Sequence, residues 1–219
     1  MLISMYLPAH FQVDDADAVA DFIAAHPLAQ LVCNGADGEL PVVNPLPLRL
    51  QASAGTQDGT APTNWVLEGH LARANPQLAL LQRHGRALVV FGSAGAYVSP
   101  ALYEADKAVP TWNYIAVQVD VTVELVDDDA AKDALLKRLI AVHEPDYAAR
   151  WRALPGDYQH AMLRAIVGLR LQVRSVQAKF KLSQNRPGAD RERVQQAHAA
   201  GSAAEHEMAQ WMARIVSAK

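Results

Sequence analysis

Cysteine is almost absent from this sequence. Its 219 residues hold one, Cys33, so no intramolecular disulfide framework can form and a zinc or iron–sulfur centre built only from cysteines is excluded. Long apolar runs are missing too; none approaches the ~18 residues that cross a bilayer. The apolar stretch Met1–Val13 carries no Lys or Arg and contains Pro8 and His10, so it is not expected to be a signal peptide. No unit of 20–50 residues repeats, which excludes solenoids and propellers. Neither a G-x-G-x-x-G nor a P-loop pattern occurs. No two of the eight histidines flank a glutamate at i, i+4, so no metal site is expected. Ser99 lies in Tyr97-Val98-Ser99-Pro100 rather than on a G-x-S-x-G elbow, and no catalytic residue is assigned. What remains is an ordinary globular composition, 51% hydrophobic and 20% charged, expected to be cytoplasmic with no membrane partner.

The net charge of −3 is small, but its distribution is uneven. Residues 1–131 carry 5 basic and 15 acidic groups, and residues 132–219 carry 15 basic and 8 acidic. Such asymmetry fits halves or subunits that pack on one another, a phosphate-bearing ligand, or a nucleic-acid face.

Periodicity places the elements. Asp14 and Asp15 ahead of Ala18, Val19, Phe22 and Ile23 predict a capped helix ending near His26-Pro27. Leu28–Asn34 reads as a strand, Gly35–Gly38 as a turn, and Leu40–Leu50, with three prolines, as an edge or irregular strand. Gln51–Asn64 reads as a surface loop or hairpin tip, and Trp65–Gly69 as a short strand. Asn75-Pro76 opens a helix, Arg86–Phe91 is a buried strand, and Ala96–Val98 is a possible extension of it. Ile115–Leu125 and Ile166–Val176 alternate apolar and polar residues, the signature of strands with one buried face. Helices are expected over Asp127–His143 and in a hairpin ending near Leu163. The chain past Arg191 reads as polar helix, closing on an amphipathic segment, Glu205–Val216. Strands joined by short turns, with helices before and after, indicate an α+β sheet or barrel.

Four polar clusters sit at strand ends or strand–helix junctions, where chains present ligand-binding groups. They are Gly69–Pro76, Tyr97–Pro100, Val109–Tyr114 and Lys179–Arg186. Arg73 beside a helix start suits a phosphate, although Asn75 there can simply cap the helix. Trp112, Asn113 and Tyr114 could stack on a planar heterocycle or belong to the core. The two lysines of the last cluster offer cations or a solvated turn.

Together with Met5-Tyr6-Leu7-Pro8-Ala9-His10-Phe11, these motifs follow an order that resembles the PaiB-type family of FMN-binding transcriptional regulators, from Met5 to about Val194. VPTWNY (109–114) and KLSQNR (181–186) are the most specific. The resemblance implies an FMN-binding split β-barrel, mostly antiparallel and related to pyridoxamine-phosphate oxidases, with flanking helices and a helical C-terminal segment. Residues 1–194 would form that domain, with helices inserted at about 128–163, and 195–219 a helical extension. It also implies a homodimer with FMN at the subunit interface and negative transcriptional regulation, with DNA as a further partner of the basic half. Carried over by motif, the cofactor-binding set is His70, Leu71, Ala72, Arg73 and Asn75 around the phosphate, Tyr97 and Ser99, then Trp112, Asn113 and Tyr114 near the flavin. Lys179, Lys181 and Gln184 complete it as a basic lip.

The chain departs from the family pattern at four places. Asn44-Pro45 stands where N-H-x-P is usual, Phe180 where a tryptophan is, Ala101-Leu102 where serine-tryptophan is, and Arg170 where an acidic residue is. Two further readings stay open. One is a flavin-dependent oxidoreductase or flavin reductase, with the redox chemistry left to the cofactor and only His70 and Tyr114 as acid or base. The other is a degenerate barrel that binds no flavin and serves as an interaction module.

Overall fold

The computed structural model describes residues 5–51 and 64–217. The segment read as a loop or hairpin tip, Gln51–Asn64, lies outside them except at its ends. Two compact units divide the chain. The larger comprises residues 15–91 and 118–176; the smaller comprises the N-terminal residues to 14, then 92–117 and 177 onward.

The larger unit opens with helix α1 (Ala16–Ala25), whose N–H groups at Asp17 and Ala18 donate to the Asp15 carboxylate. Ala18, Val19, Phe22 and Ile23 recur at helical spacing and are buried. Pro27 disfavours helical backbone at His26, which ends the helix. Strands β1 (Leu28–Cys33) and β2 (Val42–Pro47) pair antiparallel, and the chain between them turns at Gly38 with φ +84°. Then come β3 (Arg49–Gln51), β4 (Val66–Ala72), helix α2 (Gln77–His84) and β5 (Arg86–Gly92). Asn75 Oδ1 accepts from the N–H of Gln77 at 2.9 Å. Gly85, at φ +63°, closes α2 in the left-handed conformation that glycine adopts at least cost.

β6 (Ala96–Val98) belongs to the smaller unit, and the unit boundaries fall inside the long strands β7 (Thr111–Val126) and β8 (Ile166–Lys181). The sheet order is β2-β1-β5-β7-β8-β4-β3. β2 is therefore an edge strand, where Pro45 and Pro47 cost no ladder bond. Between β7 and β8 lie α3 (Asp129–His143), α4 (Tyr147–Ala153) and α5 (Gly156–Arg164). The inward residues Leu31, Leu67, Val89, Val119, Leu169 and Leu171 are fully buried, each contributing roughly 1.5–3 kcal/mol of apolar transfer.

In the smaller unit β6 is a strand of its own, paired antiparallel with β7 so that Tyr97 stands opposite Trp112. β8 runs past the expected end at Val176 to Lys181, so both lysines of the last motif lie in a strand rather than a turn. Helices α6 (Gly188–Ala199) and α7 (Ala203–Ser217) pack on each other. Ser202 and Glu205 cap α7 reciprocally: Ser202 N–H donates to Glu205 Oε2 at 2.7 Å, and Glu205 N–H to Ser202 Oγ at 3.4 Å.

Candidate functional site

Strand alternation decides what the KFK segment can do. Lys179 and Lys181 share one face of β8, and Phe180 takes the other. There Phe180 is fully buried and meets Trp211 edge-on, ring centroids 5.4 Å apart. The departure at Phe180 is thus a core substitution. Lys179 Nζ donates to the Tyr6 carbonyl at 3.0 Å and lies 5.4 Å from the ring centroids of Tyr6 and Tyr114. Lys181 Nζ donates to Thr111 Oγ1 at 2.6 Å and to the Trp112 carbonyl, and lies 5.9 Å from the rings of Phe11 and Tyr114. Burial and the like charges of Lys179 and Arg186 hold the Lys181 ammonium below the usual lysine range.

Next to this edge are two aromatic rings open to solvent. Trp112 is 54% and Tyr97 48% exposed, and they meet edge-to-face at 5.9 Å. They are not core aromatics; their faces are available for stacking. Tyr6 also lines an open surface depression with Met5, Leu7, Gln12 and Gln177.

Other residues of the expected set are engaged internally. Asn113 is fully buried; its Oδ1 accepts from Ser183 Oγ at 3.0 Å and its Nδ2 donates to Met212 Sδ at 3.6 Å. That pin holds Ser183 at φ +63°, the one positive φ among the described non-glycine residues. Gln184 closes the turn after β8: its Oε1 accepts from Leu182 N–H at 2.7 Å and its Nε2 donates to the Phe180 carbonyl. Ser99 Oγ accepts from Ala101 N–H at 3.2 Å, capping the short turn Pro100–Leu102.

The larger unit holds the rest of the set. Arg73 Nε donates to the Arg164 carbonyl at 2.7 Å, and Nη2 to the Ile166 carbonyl at 3.1 Å. Both guanidinium Nη groups also bond the Asp127 carboxylate, and Arg73 holds its pKa down at about 2. Buried Lys132 joins them, pairing with Asp127 at 3.2 Å and donating to the Leu163 carbonyl at 2.8 Å. Arg73 and Lys132 therefore satisfy carbonyls at the C-terminal end of α5, where cations are favoured. A phosphate at Arg73 would compete with Asp127. His70 differs: its Nδ1 is buried without a hydrogen-bond partner, and burial lowers its pKa. Leu71 is buried in β4, Ala72 is exposed at the strand's end, and Asn75 caps α2.

The sequence reading did not anticipate Thr111 as the anchor of Lys181, nor the contacts of Asn44 and Arg170. Asn44 donates to Gln77 Oε1 at 2.9 Å, and Gln77 Nε2 donates to the carbonyls of Leu31 and Val42. That clamp ties α2 to β1 and β2. Arg170 faces Glu68 and Glu124 at ion-pair distances of 3.9 and 3.8 Å.

Residues 5–175 match a family described as "Putative FMN-binding domain". The "Protease synthase and sporulation protein PAI 2" of Bacillus subtilis (strain 168) is 28% identical over 187 residues, 85% of each chain. The FAD and heme binding protein from Mycobacterium smegmatis has a similar structure, with TM-score 0.59 at 20% identity over 88% of this chain and 81% of that one. The flavocytochrome Anf3 from Azotobacter vinelandii reaches TM-score 0.58 at 18% identity, over 81% and 70%. The fold is the α+β split β-barrel that the motif order implies. No described helix is long and apolar enough to cross a membrane. No group of three or more His, Cys, Asp or Glu among the described residues is placed to hold a metal ion.

Proposed function

The chain belongs to the FMN-binding domain family, and on that premise we propose that it is a flavin-binding regulator of the PaiB type, a homodimer with FMN at the subunit interface. The observation that carries the regulator reading is the PAI 2 relative, matched over 85% of both chains. The residues present fit FMN. The smaller unit supplies exposed aromatic faces at Trp112 and Tyr97 and ammonium groups at Lys179 and Lys181. Trp112 and Tyr97 would stack on the planar ring, and the lysines would meet its anionic groups. FMN, when bound, supplies electron transfer, which the side chains orient and shield. DNA is the partner that regulation requires, and binding to it would weaken steeply with salt.

The test is the visible spectrum of the purified protein after FMN is added and the protein desalted, with its mass in solution. A retained yellow chromophore on a dimer is expected. A colourless protein would overturn the flavin reading. Steady NAD(P)H turnover by the loaded protein, without salt-dependent DNA binding, would replace the regulator with a flavin reductase.

A further inference from the structure

Several cations of this structure are matched to carboxylates: Arg73 to Asp127, Arg86 to Asp120, Lys137 to Asp133, Arg138 to Glu68 and Arg193 to Asp190. Lys179, Lys181 and Arg186, which lie close together in the smaller unit, are not. Among the described residues their partners are neutral: the Tyr6 carbonyl for Lys179, Thr111 Oγ1 and the Trp112 carbonyl for Lys181, and the Tyr103 ring, 4.1 Å away, for Arg186. Lys179 is 8% exposed. An ammonium has three N–H donors, so Lys179 keeps two unused and Lys181 one. Burying an ammonium without a counter-ion is costly, and neighbouring like charges add to the cost.

We propose that Lys179 and Lys181, with Arg186 beside them, form a binding site for a phosphate dianion. Two ammoniums and a guanidinium of like sign suit a doubly charged oxyanion, and the unused N–H donors give it hydrogen bonds. The burial of Lys179 favours a small anion over a duplex backbone. The phosphate comes from FMN or from a second phosphate-bearing ligand; naming FMN as its carrier rests on the function proposed above, whereas the site itself does not.

The test begins with thermal unfolding of the flavin-free full chain in sodium phosphate and in sodium chloride of equal ionic strength. Phosphate should raise the midpoint of the wild type, since a ligand of the native state stabilises it. The rise should be lost in Lys179→Met and Lys181→Met and kept in Lys181→Arg, which retains the charge. No rise in the wild type, or the same rise in both methionine variants, overturns the site. Flavin fluorescence then identifies the carrier. If FMN brings the phosphate, it binds tighter than riboflavin, and that preference falls roughly tenfold in Lys181→Met. If FMN and riboflavin bind alike while the phosphate effect persists, the site stands and a second ligand brings the phosphate. If no flavin binds while the phosphate effect persists, the flavin proposal fails and the site stands.

Discussion

Replacing Glu68 with glutamine should destabilise the larger unit more than any exposed charge change. Its carboxylate is only 1% exposed. Arg138 grips it with both ends of the guanidinium, Nε at 2.9 Å and Nη2 at 2.7 Å. Arg49 on β3 and Arg170 on β8 stand opposite it in register, at 3.5 and 3.9 Å. Removing the charge leaves three guanidiniums around a neutral amide. Breaking a buried pair from one side costs about 3–5 kcal/mol. Arg138 is 36% exposed, so water reclaims part of its charge and the lower end, about 3 kcal/mol, applies. At roughly 2–4 °C per kcal/mol for a chain of this length, the midpoint should fall by about 6–12 °C. Urea unfolding should show a lower midpoint at unchanged slope. Arg170→Gln is the internal control: at 46% exposure and with no ion pair closer than 3.8 Å, it should cost at most about 0.5 kcal/mol. A Glu68→Gln loss below about 1 kcal/mol, or an equal loss in Arg170→Gln, refutes the assignment.

A Cβ at Gly69 would lie 2.8 Å from the Pro47 carbonyl oxygen and 2.6 Å from Leu48 Cδ2. Gly69→Ala should therefore cost about 1–3 kcal/mol in denaturant unfolding, as overpacking does. Asp127, held at about 2 by Arg73 and Lys132, contributes stability that is complete above its unfolded value and is lost as pH falls toward 2. Arg73→Gln returns Asp127 toward its ordinary value, so in urea unfolding at a series of pH values the variant should be less stable than the wild type at neutral pH and the gap should close as pH falls toward 2. Burial and like charge lower the Lys181 pKa, so in the flavin-free protein stability should rise as pH climbs toward the unfolded lysine value near ~10.4. That rise should be smaller in Lys181→Met. Trp112→Ala should weaken FMN binding roughly 5- to 150-fold, the loss of a stacking face worth ~1–3 kcal/mol, with little change in the unfolding midpoint.

Period and punctuation in the sequence determined most of the backbone. Asp15, the run Ala18–Ile23 and Pro27 set α1, because capping and helical spacing act within a few residues. Alternation from Ile115 and from Ile166 determined which faces of β7 and β8 are buried, and Pro45 and Pro47 marked the edge strand. The ordered motifs were enough to identify the family. Only the tertiary structure decided which charges are consumed. Arg73, read as a phosphate ligand, meets Asp127 and the end of α5. Asn113 and Gln184 spend their hydrogen bonds inside the protein. Trp112 faces solvent, and Lys181 reaches Thr111 with no carboxylate at hand among the described residues. Local pattern sets the face on which a side chain stands; whether its charge or amide stays free for a ligand depends on partners brought close by packing, such as Asp127 at Arg73 and Ser183 at Asn113.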